Sequence, residues 1–203
     1  MLRLLALTCA ALVLLPARAS AEWHIAPSFG ATFHGNTSFI DQEGGSAKTH
    51  IQFGGSVALV GSGVLGVEGI TVFTPAFFRG ESPSRLKYGR TFALMGNAVF
   101  TLPKRWTEYS LRPFVSGGLG LMRASLLDAP PLPLPGGPLL PVESNIAGYN
   151  VGGGAVGFLS QRTGVRFDFR YYSSLHRPDQ GPVAFGPVHL SYMTLSIGFV
   201  LRR

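Results

Sequence analysis

Two arginines flank an aspartate at alternate positions in Arg166-Phe167-Asp168-Phe169-Arg170, and a single glutamate, Glu68, interrupts an apolar run. At a period of two, Arg166, Asp168 and Arg170 share one face of a strand. Guanidinium and carboxylate groups at that spacing can form an ion-pair network. Lining an open passage, such a network would narrow or gate it. In a filled interior it would be structural, because charges removed from water must be paired to offset their desolvation. The structural reading is preferred.

A second set could support acyl transfer. His34, His50 and His176 fall near Ser38, Ser173 and Ser174, and a Ser–His pair helped by a carboxylate activates a hydroxyl. No helping motif surrounds these residues, and serine and histidine are common in solvated loops, so no catalytic residue is assigned. Metal sites are not expected either. There is no His-x-His or His-x3-His spacing, and the one cysteine is Cys9. Gly152-Gly153-Gly154 and Gly117-Gly118 lack the Lys-Ser/Thr and the helix of a phosphate loop. No cofactor is expected.

The N-terminus sets the compartment. Arg3 precedes an uncharged apolar run, Leu4 to Leu15, which Pro16 ends; Ala19-Ser20-Ala21 then supplies small residues. This is the pattern of a cleaved secretory signal over 1–21, too short in its apolar part to anchor in a bilayer. Cleavage is placed after Ala21, with Ala19 the second choice. Cys9 lies inside the signal without the approach of a lipid-anchor site, so the mature chain carries no thiol. With Arg3 and Arg18 gone, the formal +7 of the whole chain falls to +5. These charges are scattered rather than clustered, which disfavours nucleic acid. A basic surface suits anionic outer-membrane lipid and lipopolysaccharide.

What elements could position these residues? Beyond residue 22 no apolar run is long enough for a membrane helix. Instead there are 27 glycines, 15 phenylalanines and only 13% charged residues, a balance that suits alternating strands. Period-two runs bounded by turn residues occur at Trp23–Phe33, Thr49–Val60, Val64–Thr74, Thr91–Leu102, Leu111–Met122, Tyr149–Leu159, Val165–Tyr172 and His189–Leu201. Each is about the length a tilted strand needs to cross a bilayer. The connections at 34–48, 75–90, 123–148 and 173–188 are long, and the three between them are short. Strict alternation of long and short connections is the mark of a transmembrane barrel, with long outer loops and short periplasmic turns. The apolar Phe, Leu and Ile faces then point to lipid, while Glu68, Arg166, Asp168 and Arg170 point inward. Every backbone amide must be paired in hydrocarbon, so the sheet must close. Residues 22–203 are expected to form one all-β domain, an eight-stranded antiparallel up-and-down barrel.

Arg112-Pro113-Phe114-Val115-Ser116-Gly117-Gly118-Leu119-Gly120 resembles the central strand of small outer-membrane barrels. Tyr149-Asn150-Val151-Gly152-Gly153-Gly154 and Arg166-Phe167-Asp168-Phe169-Arg170-Tyr171 resemble their sixth and seventh strands. Over 22–203 the chain is similar in pattern to the broad outer-membrane β-barrel group related to OmpA, OmpX and OmpW. The resemblance implies insertion by the barrel-assembly machinery, a monomer, and no single activity, since members include structural anchors, adhesins and small hydrophobic-solute channels. One departure is plain. Such barrels end on an aromatic residue, whereas here Phe199 precedes Val200-Leu201-Arg202-Arg203, which implies a shifted or relaxed assembly signal.

Trp23, Trp106, Tyr109 and Tyr192 fall near strand ends, where an aromatic girdle would sit at the lipid–water boundary. The proline-rich 129–142 segment reads as a semi-rigid outer loop, with an apolar lid at the barrel mouth as the sharper alternative. The expected function is non-enzymatic, in envelope structure or surface contact. The alternatives are a narrow channel for small or hydrophobic solutes and, more weakly, a lipid-modifying acyl hydrolase or transferase.

Overall fold

A computed structural model describes residues 22–37, 48–61, 63–77, 88–102, 111–127, 143–175 and 189–203. The expected positions Trp106, Tyr109, Ser38 and His176, the signal 1–21 and the 129–142 loop lie outside the described residues.

Eight strands follow one another: β1 (Glu22–Thr37), β2 (His50–Val60), β3 (Leu65–Thr74), β4 (Tyr88–Thr101), β5 (Leu111–Leu127), β6 (Glu143–Phe158), β7 (Thr163–Ser174) and β8 (Leu190–Arg202). Each pairs antiparallel with its neighbour in sequence, and β1 pairs with β8, so the sheet closes as an up-and-down barrel. Closure carries through to the chain ends: the Trp23 and Arg203 backbones exchange hydrogen bonds of 3.0 and 2.9 Å. Both ends therefore lie beside the short connections that follow β2, β4 and β6. We call this the turn end and the opposite one the loop end.

Several strands run further toward the loop end than apolar alternation alone suggests. β1 reaches Thr37, β5 reaches Leu127 and β6 starts at Glu143. The reason is the ladder: Ser125 pairs with Glu143 and Thr37 with Leu190, and backbone pairing continues where the outer face no longer needs to be apolar. β1 also changes phase there. Its register to β8 shifts between Phe33 and Asn36, and His34 takes a left-handed φ of 54°. This β-bulge moves the inward parity from Thr32 to Gly35.

The distribution of side chains is that of a membrane barrel. Phe29, Ile51, Leu65, Val115, Leu119 and Phe167 are exposed on the outer face, while Glu68 and Arg170 are 3% and 0% exposed inside. So large an apolar belt would not stay dispersed in water. Lipid accepts it because the closed ladder leaves no strand edge unpaired.

The interior is layered. Toward the turn end Ala26, Val99, Phe114, Val156 and Val200 pack together, with Phe158 against them. Toward the loop end lies a larger apolar layer that includes Val72, Phe77, Met95, Met122, Tyr172 and Tyr192. Glu68, Arg166, Asp168 and Arg170 fall between the two.

Trp23 is half exposed at the start of β1. Tyr192 requires a correction. It is 1% exposed inside the barrel, stacked on Tyr172 at 5.0 Å and edge-on to Phe77 at 5.3 Å. The physical reason is parity: Met193, Leu195, Phe199 and Leu201 face outward along β8, so Tyr192 must face inward.

Two substitutions test this arrangement by urea unfolding in phosphocholine vesicles. Leu94→Arg, in the middle of the belt, should cost about 2–4 kcal/mol, and Leu102→Arg near the turn end about 0–1 kcal/mol. Equal costs would contradict the depth of the belt. Inside, a Cβ on Gly154 would collide with the Phe167 carbonyl oxygen and lie 3.1 Å from the Asp168 Cα, whereas one on Gly69 meets nothing within 4 Å. Gly154→Ala should therefore destabilise by about 1–3 kcal/mol, and Gly69→Ala should be close to neutral.

Candidate functional site: the charged layer of the lumen

The alternation of β7 points Arg166, Asp168 and Arg170 into the lumen one above another. β3 brings Glu68 from the far wall, its backbone register fixed opposite Asn97 of β4. The barrel is narrow enough for these side chains to meet across it. Arg166 contacts both carboxylates, Glu68 through Nη1 and Asp168 through Nη2 at 2.6 Å. Arg170 does the same, with Nη2 3.0 Å from Glu68 and Nε 2.9 Å from Asp168. Two acids and two bases thus form a closed quartet, and their formal charges cancel.

The remaining donors and acceptors are met by neutral neighbours. Asn150 accepts from Arg170 Nη1 at 2.9 Å and donates to the Asn97 side-chain oxygen at 2.7 Å. Asn97 in turn donates to Glu68 at 3.5 Å. Ser56 accepts from Arg166 Nη1 at 3.1 Å, and the Arg166 guanidinium lies 4.3 Å over the Phe114 ring. A second polar cluster lies closer to the loop end, where the Thr32 hydroxyl meets both Gln52 and Thr74. Low dielectric strengthens each pair, and it makes any unpaired member costly.

The structure therefore brings together the four charged residues singled out from sequence. Asn97, Asn150, Ser56 and Phe114 were missed as members. Their inward parity was readable in the strand pattern, but their partners lie on other strands. Arg112 was missed too. It is buried near the turn end, where Nε donates to Leu102 and Nη2 to Gly61 and Gly63, all carbonyls of the short turns or strand ends.

The described members of the Ser and His set are not gathered in one place. His34 is exposed at the β1 bulge. His50 opens β2, buried with its ring 5.9 Å from Phe77. Ser173 and Ser174 end β7 and are buried, Ser174 accepting from the Leu190 amide at 3.3 Å. Their place inside the barrel, rather than in solvated loops, follows from the ladder reaching higher than apolar alternation implied. Among the described residues no group of three His, Cys, Asp or Glu side chains could hold a metal ion.

Removing one acid tests whether the quartet acts as a unit. Asp168→Ala leaves two buried guanidinium groups sharing Glu68 and should cost about 3–5 kcal/mol. The check is urea unfolding in vesicles, with the heat-shifted mobility of the folded barrel in detergent gels as a second readout. A cost under about 1 kcal/mol would mean that water already screens the layer.

No family model matches the chain, and no curated protein matches it in sequence. Solved structures do match. The neisserial surface protein NspA superposes with a TM-score of 0.56 at 16% identity, covering 89% of this chain and 96% of that one. The N-terminal β-barrel domain of Pseudomonas aeruginosa OprF gives 0.53 at 12% identity, covering 91% and 100%. Ail, the attachment invasion locus protein of Yersinia pestis, solved with the heparin analogue sucrose octasulfate, gives 0.51 at 14% identity, covering 89% and 99%. At such identities the likeness is one of fold. With its lipid-facing belt and charged lumen, the chain has the fold of the small eight-stranded outer-membrane β-barrels.

Proposed function

We propose that this protein is an integral outer-membrane barrel with a closed lumen, serving in envelope structure or surface contact and carrying out no catalysis. The observation that carries the reading is the stacking of the interior. A neutral, hydrogen-bonded quartet fills the cross-section between two apolar layers. Beside it, a cavity lined by His24, Glu68, Thr101, Arg112 and Arg166 has a volume of about 20 Å³, room for roughly one water. An eight-stranded barrel has an interior just wide enough for its side chains to fill, which supports a lumen closed to water and ions at this layer.

With the lumen filled, the surface left for function is the rim. The long connections all leave from the strand ends at the loop end of the ladder, and loops on a rigid scaffold are where contact residues concentrate. A surface protein and an attachment protein among the structural neighbours are compatible with surface contact. On this reading the protein acts as a monomer in lipid and lipopolysaccharide, placed there by the barrel-assembly machinery.

The alternative is a narrow channel for small or hydrophobic solutes. The two separate in planar bilayers: the wild-type barrel should show no discrete current steps, and Asp168→Ala should introduce none while lowering stability. Steady single-channel steps from the wild type would overturn the closed-lumen reading in favour of the channel.

A further inference from the structure

The turn end of the barrel opens into a cavity of about 1060 Å³ whose walls carry, among the described residues, Arg112, Arg162, Arg202 and Arg203 against one acidic side chain, Glu22. That acid is already engaged, since Arg202 reaches both of its oxygens at 2.7 Å. The Arg202 guanidinium also lies 5.4 Å over the Phe158 ring. Arg162 and Arg203 have no acidic side chain as partner among the described residues. Arg112 spends Nε and Nη2 on backbone carbonyls, yet its Nη1 has no hydrogen-bond partner although the residue is only 3% exposed. A buried guanidinium nitrogen left unpaired is costly, and Arg112 lines the small inner cavity as well as this mouth. The rest of the described wall is mixed, with Leu111, Phe158 and Leu159 beside the polar Ser160 and Gln161.

We propose that this mouth binds an amphipathic anion, with a phosphate or carboxylate held by the exposed Arg162 and Arg203 and an apolar portion against Leu111, Phe158 and Leu159. Guanidinium forks match the geometry of both oxyanions, and the volume suits a small organic molecule or the end of a lipid. The site lies on the side of the quartet away from the long loops. It does not depend on whether the lumen conducts.

The phosphate could belong to a bilayer headgroup or to a soluble organic anion, and one experiment separates them. The whole barrel in uncharged maltoside micelles is titrated calorimetrically with hexyl phosphate. One saturable site per barrel is expected, with no heat of binding for hexanol. The double variant Arg162→Gln/Arg203→Gln should weaken binding at least about tenfold, the scale of a lost charge-assisted contact. Arg90→Gln, on an exposed position near the loop end, should leave binding unchanged. Heat-shifted gel mobility verifies that each variant is folded. In nanodiscs containing phosphatidylglycerol, competition with hexyl phosphate would identify the headgroup as resident. An unchanged titration there would identify a soluble anion. The absence of saturable binding in micelles, or undiminished binding by the double variant, would overturn the proposal.

Discussion

In hydrocarbon a backbone amide finds no water to bond, so each must be paired by the protein itself. The pairing of β1 with β8 is therefore the contact on which the rest of this structure depends. It removes the last open edge and fixes the circumference at eight strands. That circumference brings Glu68 on β3 within reach of Arg166 and Arg170 on β7. A wider cylinder would have left these charges separated by water.

The lumen inverts the usual economy of a soluble core. A soluble domain places its apolar side chains inside and its charges in water. Here the lipid takes the large apolar residues outside, and the interior must hold polar groups without solvent. Three devices make that tolerable. The quartet is neutral, its spare hydrogen-bonding groups are taken up by Asn97, Asn150 and Ser56, and apolar layers close it off on both sides. The turn end uses the same residue type differently. Arg112 is directed at backbone carbonyls rather than carboxylates, so it ties turns together, and among the described residues arginines outnumber acids at that mouth.

Much of this was legible in the residues. The β7 run Arg166-Phe167-Asp168-Phe169-Arg170 announced its own two faces, because a strand's side chains alternate whatever surrounds it. The alternation of long and short connections revealed an up-and-down order, which the ladder has. Tyr192 shows where such reading slips. Its closeness to a strand end suggested the membrane boundary, but its parity opposite to Met193 and Leu195 sends it inward against Tyr172 and Phe77. His50, Ser173 and Ser174 slipped for a related reason. Loop boundaries were placed where apolar alternation stopped, and hydrogen bonding continued beyond that point.

By itself, the sequence determined which face of each strand is greasy and which is polar, since period-two chemistry is a local property. It also determined the strand count and the neighbour order through the spacing of the turns. The tertiary structure alone decided who meets whom across the lumen: Arg166 with Glu68 and Ser56, Arg170 with Asn150, Arg112 with the turn carbonyls. Those contacts join residues far apart in the chain. They depend on the tilt and stagger of a closed sheet, and no single strand encodes the stagger.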